Sequence, residues 1–141
     1  MERAVGIGGM FIRAKDPAAL GRWYREALGI PTYPPETDDG PQSWWQEAGP
    51  TVWSAFDADT DYFGRREQQS MVNIRVRDLD AMRDQLRAMG AVVLDQTEAM
   101  DGIGRFGWVE DPEGNRVELW EPAPEAMVPD PSAPDAPAPD A

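Results

Sequence analysis

The sequence of 141 residues contains neither cysteine nor histidine. Without thiols there can be no disulfide and no thiolate metal site, and the chain is compatible with any redox compartment. Long apolar runs are also missing: nothing approaches the roughly 20 residues of a membrane span. The opening stretch MERAVGIGGMFIR lacks the basic region and apolar run of a signal peptide, so a cytoplasmic location is expected. Basic residues are scarce, 13 against 26 acidic ones, and the net charge is −13. A nucleic-acid backbone or an anionic membrane requires a basic partner surface, so neither is expected to bind here. The bulk of the acidity serves solubility.

What is present fits one globular domain. The apolar fraction is 41%, six tryptophans are available for packing, and the length allows a real core. The composition changes near residue 122. From Pro122 onward there is no Lys or Arg, and seven of the fourteen prolines lie there. Residues 122–141, rich in Pro, Ala and Asp, bury too little apolar surface to offset their ordering entropy, and a disordered or extended tail is expected. A linker or docking role is the functional alternative for it. The remainder, with 22 acidic and 13 basic residues, still carries −9.

Two stretches of that remainder resemble each other: FIRAKDPAALGRWYREALGI from Phe11 and NIRVRDLDAMRDQLRAMGAV from Asn73. Arg13 aligns with Arg75, Asp16 with Asp78, and Leu20 with Met82. In each, a strand-like segment leads to an aspartate N-cap, an amphipathic helix and a glycine stop. Pro17 suits the first turn of the first helix, where its missing N–H costs nothing. Leu20, Trp23, Tyr24, Ala27 and Leu28 form one apolar stripe; Leu79, Met82, Leu86 and Met89 form the other. Strand-like segments follow the first helix at Ile30–Tyr33, Ser43–Glu47 and Thr51–Phe56. Others follow the second at Ala91–Leu94, Ile103–Val109 and Asn115–Trp120, the last two joined by the turn signal Asp111-Pro112-Glu113-Gly114-Asn115. The expected order is β-α-β-β-β, twice, over about 5–57 and 69–121.

This duplicated pattern resembles the vicinal oxygen chelate superfamily, which includes glyoxalase I, bleomycin-resistance proteins and extradiol dioxygenases. The stretch VEDPEGNRVELWE is similar to that family's C-terminal hairpin, and the segment from Phe11 to its first strand and helix. The resemblance spans nearly all of residues 5–121. It implies an α+β fold in which two βαβββ modules, within a domain of residues 1–121, form a curved mixed sheet lining a cup.

In the metal-dependent members, four His, Gln or Glu ligands project into the cup. Carried over by position, they fall on Gly9, Ser54 or close to it, Met71 and Glu118. Only Glu118 is a ligand of the family type. Glycine has no side chain, a thioether is too soft for the ions concerned, and serine is a poor donor. Gln69, Glu47 and Asp57 lie near two of the positions, but nothing replaces Gly9. The expectation is therefore no cofactor. Should a divalent metal bind, Glu118 is its one candidate ligand, and oxygen donors would favour Mg²⁺, Ca²⁺ or Mn²⁺.

Glu118 lies between Val117 and Leu119 at the end of the chain's last strand-like segment. Period-two alternation puts Arg116, Glu118 and Trp120 on one face, Met71, Asn73 and Arg75 on another, and Gly9, Phe11 and Arg13 on a third. If Glu118 faces the cup, these faces do too. Its carboxylate could then pair with Arg13 or Arg75, bind a ligand, or act as the only candidate acid or base. Adjacent Trp44 and Trp45 must point to opposite strand faces, one to the core and the other to the cup or solvent. Trp53 shares a face with Ala55. With Trp120, these indoles suggest a flat apolar slot for an aromatic or hydrophobic molecule. The expected ligand-binding set is Arg13, Trp44, Trp45, Trp53, Met71, Asn73, Arg75, Glu118 and Trp120. The polar segment from Asp57 to Ser70, with Tyr62 and Phe63 in its middle, reads as a linker between the units, with a lid as the alternative.

Two functions are compatible with these residues. The first is a homodimer resembling the bleomycin-resistance branch, binding a small aromatic or cationic molecule without a standard metal site. The second is a lyase, isomerase or dioxygenase with an atypical oxygen-donor site around Glu118. A regulatory dimer whose tail contacts a partner is a third.

Overall fold

The computed structural model describes residues 1–134. Helix α1 spans Pro17–Leu28 and helix α2 Leu79–Ala88. The strands are β1 (Asn73–Arg75), β2 (Val92–Val93), β3 (Glu98–Met100), β4 (Gly104–Glu110) and β5 (Arg116–Pro122). A 3-10 turn, η1, follows at Pro124–Met127.

Both helices start and stop where their residues dictate. Asp16 accepts the amide of Ala19 at 3.0 Å, and Asp78 accepts that of Ala81 at 2.9 Å, satisfying donors that the first helical turn leaves free. Gly29 ends α1 with φ of 69°, a left-handed conformation in which a Cβ would be strained.

The sheet runs β1-β5-β4-β2, with β3 also on β4. β1 and β5 are parallel, and the other pairs are antiparallel. β2 and β3 are two pieces of one interrupted strand. Val92 and Val93 pair with Glu110 and Val109, and Glu98 to Met100 with Phe106 to Gly104. Five positions separate Val93 from Glu98, while their partners Val109 and Phe106 are three apart, so the chain bulges between them. The bulge is stabilised from α2: buried Arg83 donates to the carbonyls of Leu94 at 3.0 Å and Asp95 at 2.9 Å. Gly107 gives Arg83 room, because a Cβ there would lie 3.4 Å from Arg83 Cδ and 3.3 Å from Leu79 Cδ1.

Ala27, Ile74, Leu79, Leu86, Val109, Val117 and Leu119 make the core, with Trp23, Tyr24 and Met82 packed against it. Both helical stripes thus cover the sheet face carrying Val117 and Leu119, and α2 ties back to α1 through Gln85 Nε2 and the Ala27 carbonyl at 2.9 Å. Burying a leucine such as Leu79 or Leu86 contributes about 1.5–3 kcal/mol.

The two halves of the chain differ. The second forms the expected sheet, with the extra strand piece Glu98–Met100. In the first, α1 stands without a hydrogen-bonded strand among the described residues, including the segments expected to be strands between residues 30 and 56. Five prolines between residues 31 and 50 remove ladder donors, and Gly6, Gly8 and Gly9 weaken the segment before α1. Consequently Trp44 and Trp45 are not sorted between core and cup: both are exposed. The start of the stretch expected to be disordered is also structured. β5 continues to Pro122, Ala123 N–H bonds to the Ile103 carbonyl at 2.9 Å, and η1 follows. Residues 135–141 of that stretch lie outside the described residues. No helix among the described residues is long and apolar enough to cross a membrane.

Candidate functional site

Glu118 sits at the centre of β5 with both neighbouring strands in register. Asn73 of β1 and Trp108 of β4 lie directly opposite it. Each supplies a donor: Asn73 Nδ2 reaches Oε1 at 2.7 Å and Trp108 Nε1 reaches Oε2 at 3.0 Å. A third comes from the segment between the units, where the Tyr62 hydroxyl donates to Oε2. The carboxylate is buried, with 7% of its surface exposed.

The expected arginine partners are elsewhere. Arg75 donates to the Glu47 carbonyl at 2.8 Å, and Arg13 is exposed. None of the ion pairs among the described residues includes Glu118. The pairing with Arg13 or Arg75 is thus replaced by three uncharged donors, because strand register hands Glu118 an amide and an indole rather than a guanidinium.

Tyr62 reaches Glu118 on an aromatic scaffold. It stacks on Phe56 with centroids 5.4 Å apart and meets Trp108 edge-on at 5.9 Å, and Phe63 packs on Phe56 at 5.2 Å. Arg116 ties the segment to β5, donating to the Tyr62 carbonyl at 3.2 Å. Burial, then the hydrogen bond to Glu118, push the Tyr62 phenol well above its ordinary range, so it stays protonated and donating. The Asp57–Ser70 segment is therefore more than a linker. Its tyrosine completes the environment of Glu118, and the sequence signal was an aromatic pair inside a polar run.

An open cleft of about 2560 Å³ borders this corner. Its walls include Trp44, Trp45, Trp53 and Trp120, together with Met71, Asn73, Arg75 and Glu118. Of the residues expected to bind ligand, only Arg13 lies outside it. Phe106 stacks on Trp120 in nearly parallel planes with centroids 6.1 Å apart, and both face the cleft. Arg75 and Arg77 both bond to Glu47, fixing one edge of the tryptophan-bearing segment. Gly49 accommodates the Arg75 guanidinium, since a Cβ there would overlap it.

The family's metal does not fit these residues. The groups facing Glu118 are an amide N–H, an indole N–H and a phenol O–H, all donating toward the carboxylate rather than offering lone pairs to a cation. No group of three or more acidic residues among the described residues is arranged to hold an ion. The position carried to Gly9 faces only the Phe11 ring, and Met71 offers a thioether.

The DPEGN turn has a structural task. Asp111 accepts the Tyr24 hydroxyl at 2.8 Å and the amides of Glu113 and Asn115 at 2.9 and 3.0 Å. Glu113 accepts the amides of Lys15 and Asp16 at 2.6 and 3.1 Å. The turn thereby anchors α1 to the sheet.

A family model described as a glyoxalase-like domain matches residues 9–120. No curated protein matches the sequence. Among solved structures, an antibiotic binding protein, TnmS3 from Streptomyces sp. CB03234, is 18% identical with a TM-score of 0.52, covering 86% of this chain and 100% of its own. A lactoylglutathione lyase from Agrobacterium tumefaciens is 15% identical with a TM-score of 0.49, over 83% of this chain and 93% of that one. TioX from Micromonospora sp. ML1 is 17% identical with a TM-score of 0.48, over 78% and 93%. The chain belongs to the glyoxalase-like domain family of the vicinal oxygen chelate superfamily.

Proposed function

We propose that this protein binds a small aromatic or cationic molecule in its cleft, without a metal and without chemistry, and that it does so as a cytoplasmic homodimer. One observation carries the reading: the carboxylate inherited from the family's ligand set is engaged by three organic donors, in a cleft walled by indoles. Indole faces recognise flat apolar bodies, and few polar groups are needed to orient them. A protein of this fold is described as antibiotic binding, a precedent for the architecture and not for the ligand.

The dimer is supported by the first half of the chain. Phe11, Trp45 and Trp53 are 96%, 92% and 82% exposed. All three line the same cleft, so the contact would form at its mouth, and exposed apolar residues gathered there support a protein–protein contact. Light scattering after gel filtration tests it, and a monomer at micromolar concentration would contradict it.

Tryptophan fluorescence titrated with a panel of aromatic and cationic compounds tests the binding. Saturable quenching that weakens on Trp120→Ala is expected. A stoichiometric metal ion retained after exposure to Mg²⁺, Mn²⁺, Ni²⁺ or Zn²⁺, and lost on Glu118→Ala, would replace this reading with a metal-dependent enzyme.

A further inference from the structure

Resting on the binding reading above, we infer that the Glu118 corner takes a planar cation, an amidinium or guanidinium on an aromatic body, and that this group displaces the Tyr62 hydroxyl. A buried carboxylate usually has a cationic partner, because burying its charge is costly. Among the described residues Glu118 has none: its donors are a phenol, an amide and an indole. The nearby guanidiniums are committed elsewhere. Arg75 is on the Glu47 carbonyl and Arg116 on the Tyr62 carbonyl.

The three donors differ in how firmly they are held. Asn73 and Trp108 are on paired strands, and Trp108 is 2% exposed. Tyr62 comes from a segment without helix or strand and is half-buried. It is the donor that can leave at least cost. Its departure leaves each carboxylate oxygen with one fixed donor, Asn73 on Oε1 and Trp108 on Oε2, and with a lone pair free on each. Two parallel N–H groups of a planar cation match that arrangement. Phe56 and Phe63, which border the cleft beside Glu118, offer π faces to the same charge. The chain's net charge of −13 raises the local concentration of any cation.

Benzamidine and benzamide are near-isosteric, planar and aromatic, and only the first is charged at pH 7.5. Titrated into the full-length protein, with tryptophan fluorescence and indole N–H resonances as readouts, benzamidine should bind at least about tenfold more tightly. Glu118→Gln should erase that ratio. Tyr62→Phe, which keeps the ring and removes the competing hydroxyl, should tighten benzamidine by about threefold or more. Equal binding of the two probes overturns the cation assignment while leaving small-molecule binding intact. A Tyr62→Phe variant with unchanged affinity overturns the displacement. If neither probe nor any aromatic compound of the wider panel binds, the binding function falls as well.

Discussion

Tyr24 on α1 and Asp111 at the β4–β5 turn, 87 positions apart, are joined by a hydrogen bond of 2.8 Å. Asp111 is 4% exposed and also holds the amides of Glu113 and Asn115, so one side chain both closes the hairpin and docks the first helix. Tyr24→Phe should cost about 1 kcal/mol and Asp111→Ala about 3 kcal/mol in urea unfolding, since the second change leaves several buried donors unsatisfied. Equal costs would mean that the turn amides find other partners.

The same contact sets an alkaline limit. Burial, and then Asp111, hold the Tyr24 phenol above its ordinary value of 10.0. A raised folded-state value means that this contribution is complete below pH 10 and is lost as pH rises toward the folded-state value. Wild-type stability should therefore fall above pH 10, and Tyr24→Phe should flatten that fall. An unchanged slope in the variant would assign the loss to other groups.

At the other end of the sheet, Glu121 accepts Arg105 at 2.9 Å and the amide of Leu79, at the start of α2, at 2.7 Å. Arg105 first, and then the Leu79 amide, lower the Glu121 carboxyl below its ordinary value of 4.5. A lowered folded-state value means that the contribution is present above pH 4.5 and is lost as pH falls through the folded-state value. Because Arg105 is 41% exposed, solvent screens the pair, and Glu121→Gln should cost about 1 kcal/mol at pH 7. The difference from wild type should shrink as pH falls below 4.5 into strongly acid conditions. A gap that persists there would point to packing rather than charge.

The bulge between β2 and β3 depends on Arg83. Replacing it with methionine keeps most of the apolar stem and removes both bonds to the Leu94 and Asp95 carbonyls. A loss of about 2 kcal/mol is expected, with faster amide exchange confined to residues 92–100. Uniform acceleration across the sheet would argue against a local role.

Gly104 has φ of 135°, and a Cβ there would overlap the Glu121 carbonyl and lie 2.8 Å from the Ala123 nitrogen. Gly104→Ala should destabilise by about 3 kcal/mol or more, because backbone must move. A thermal midpoint within a degree or two of wild type would show that the strand end yields easily.

The sequence by itself determined both helices and their caps, the hairpin with its Asp-Pro-Glu-Gly-Asn turn, and the family. Each depends on interactions within a few residues or on a motif of fixed spacing. The alternation along β5 also put Glu118 on the face opposite Val117 and Leu119. Tertiary structure decided who meets that carboxylate. Period two assigns a side chain to a face but not to a neighbour, and only register between strands placed Asn73 and Trp108 beside Glu118 in place of an arginine. Tyr62 comes from a segment with no periodicity to read, so its contact with Glu118, 56 positions away, exists only once the chain has closed on itself. The strand segments expected before Phe56 had the right residue types. A strand is completed by partners' hydrogen bonds, however, and those lie outside what local sequence can specify.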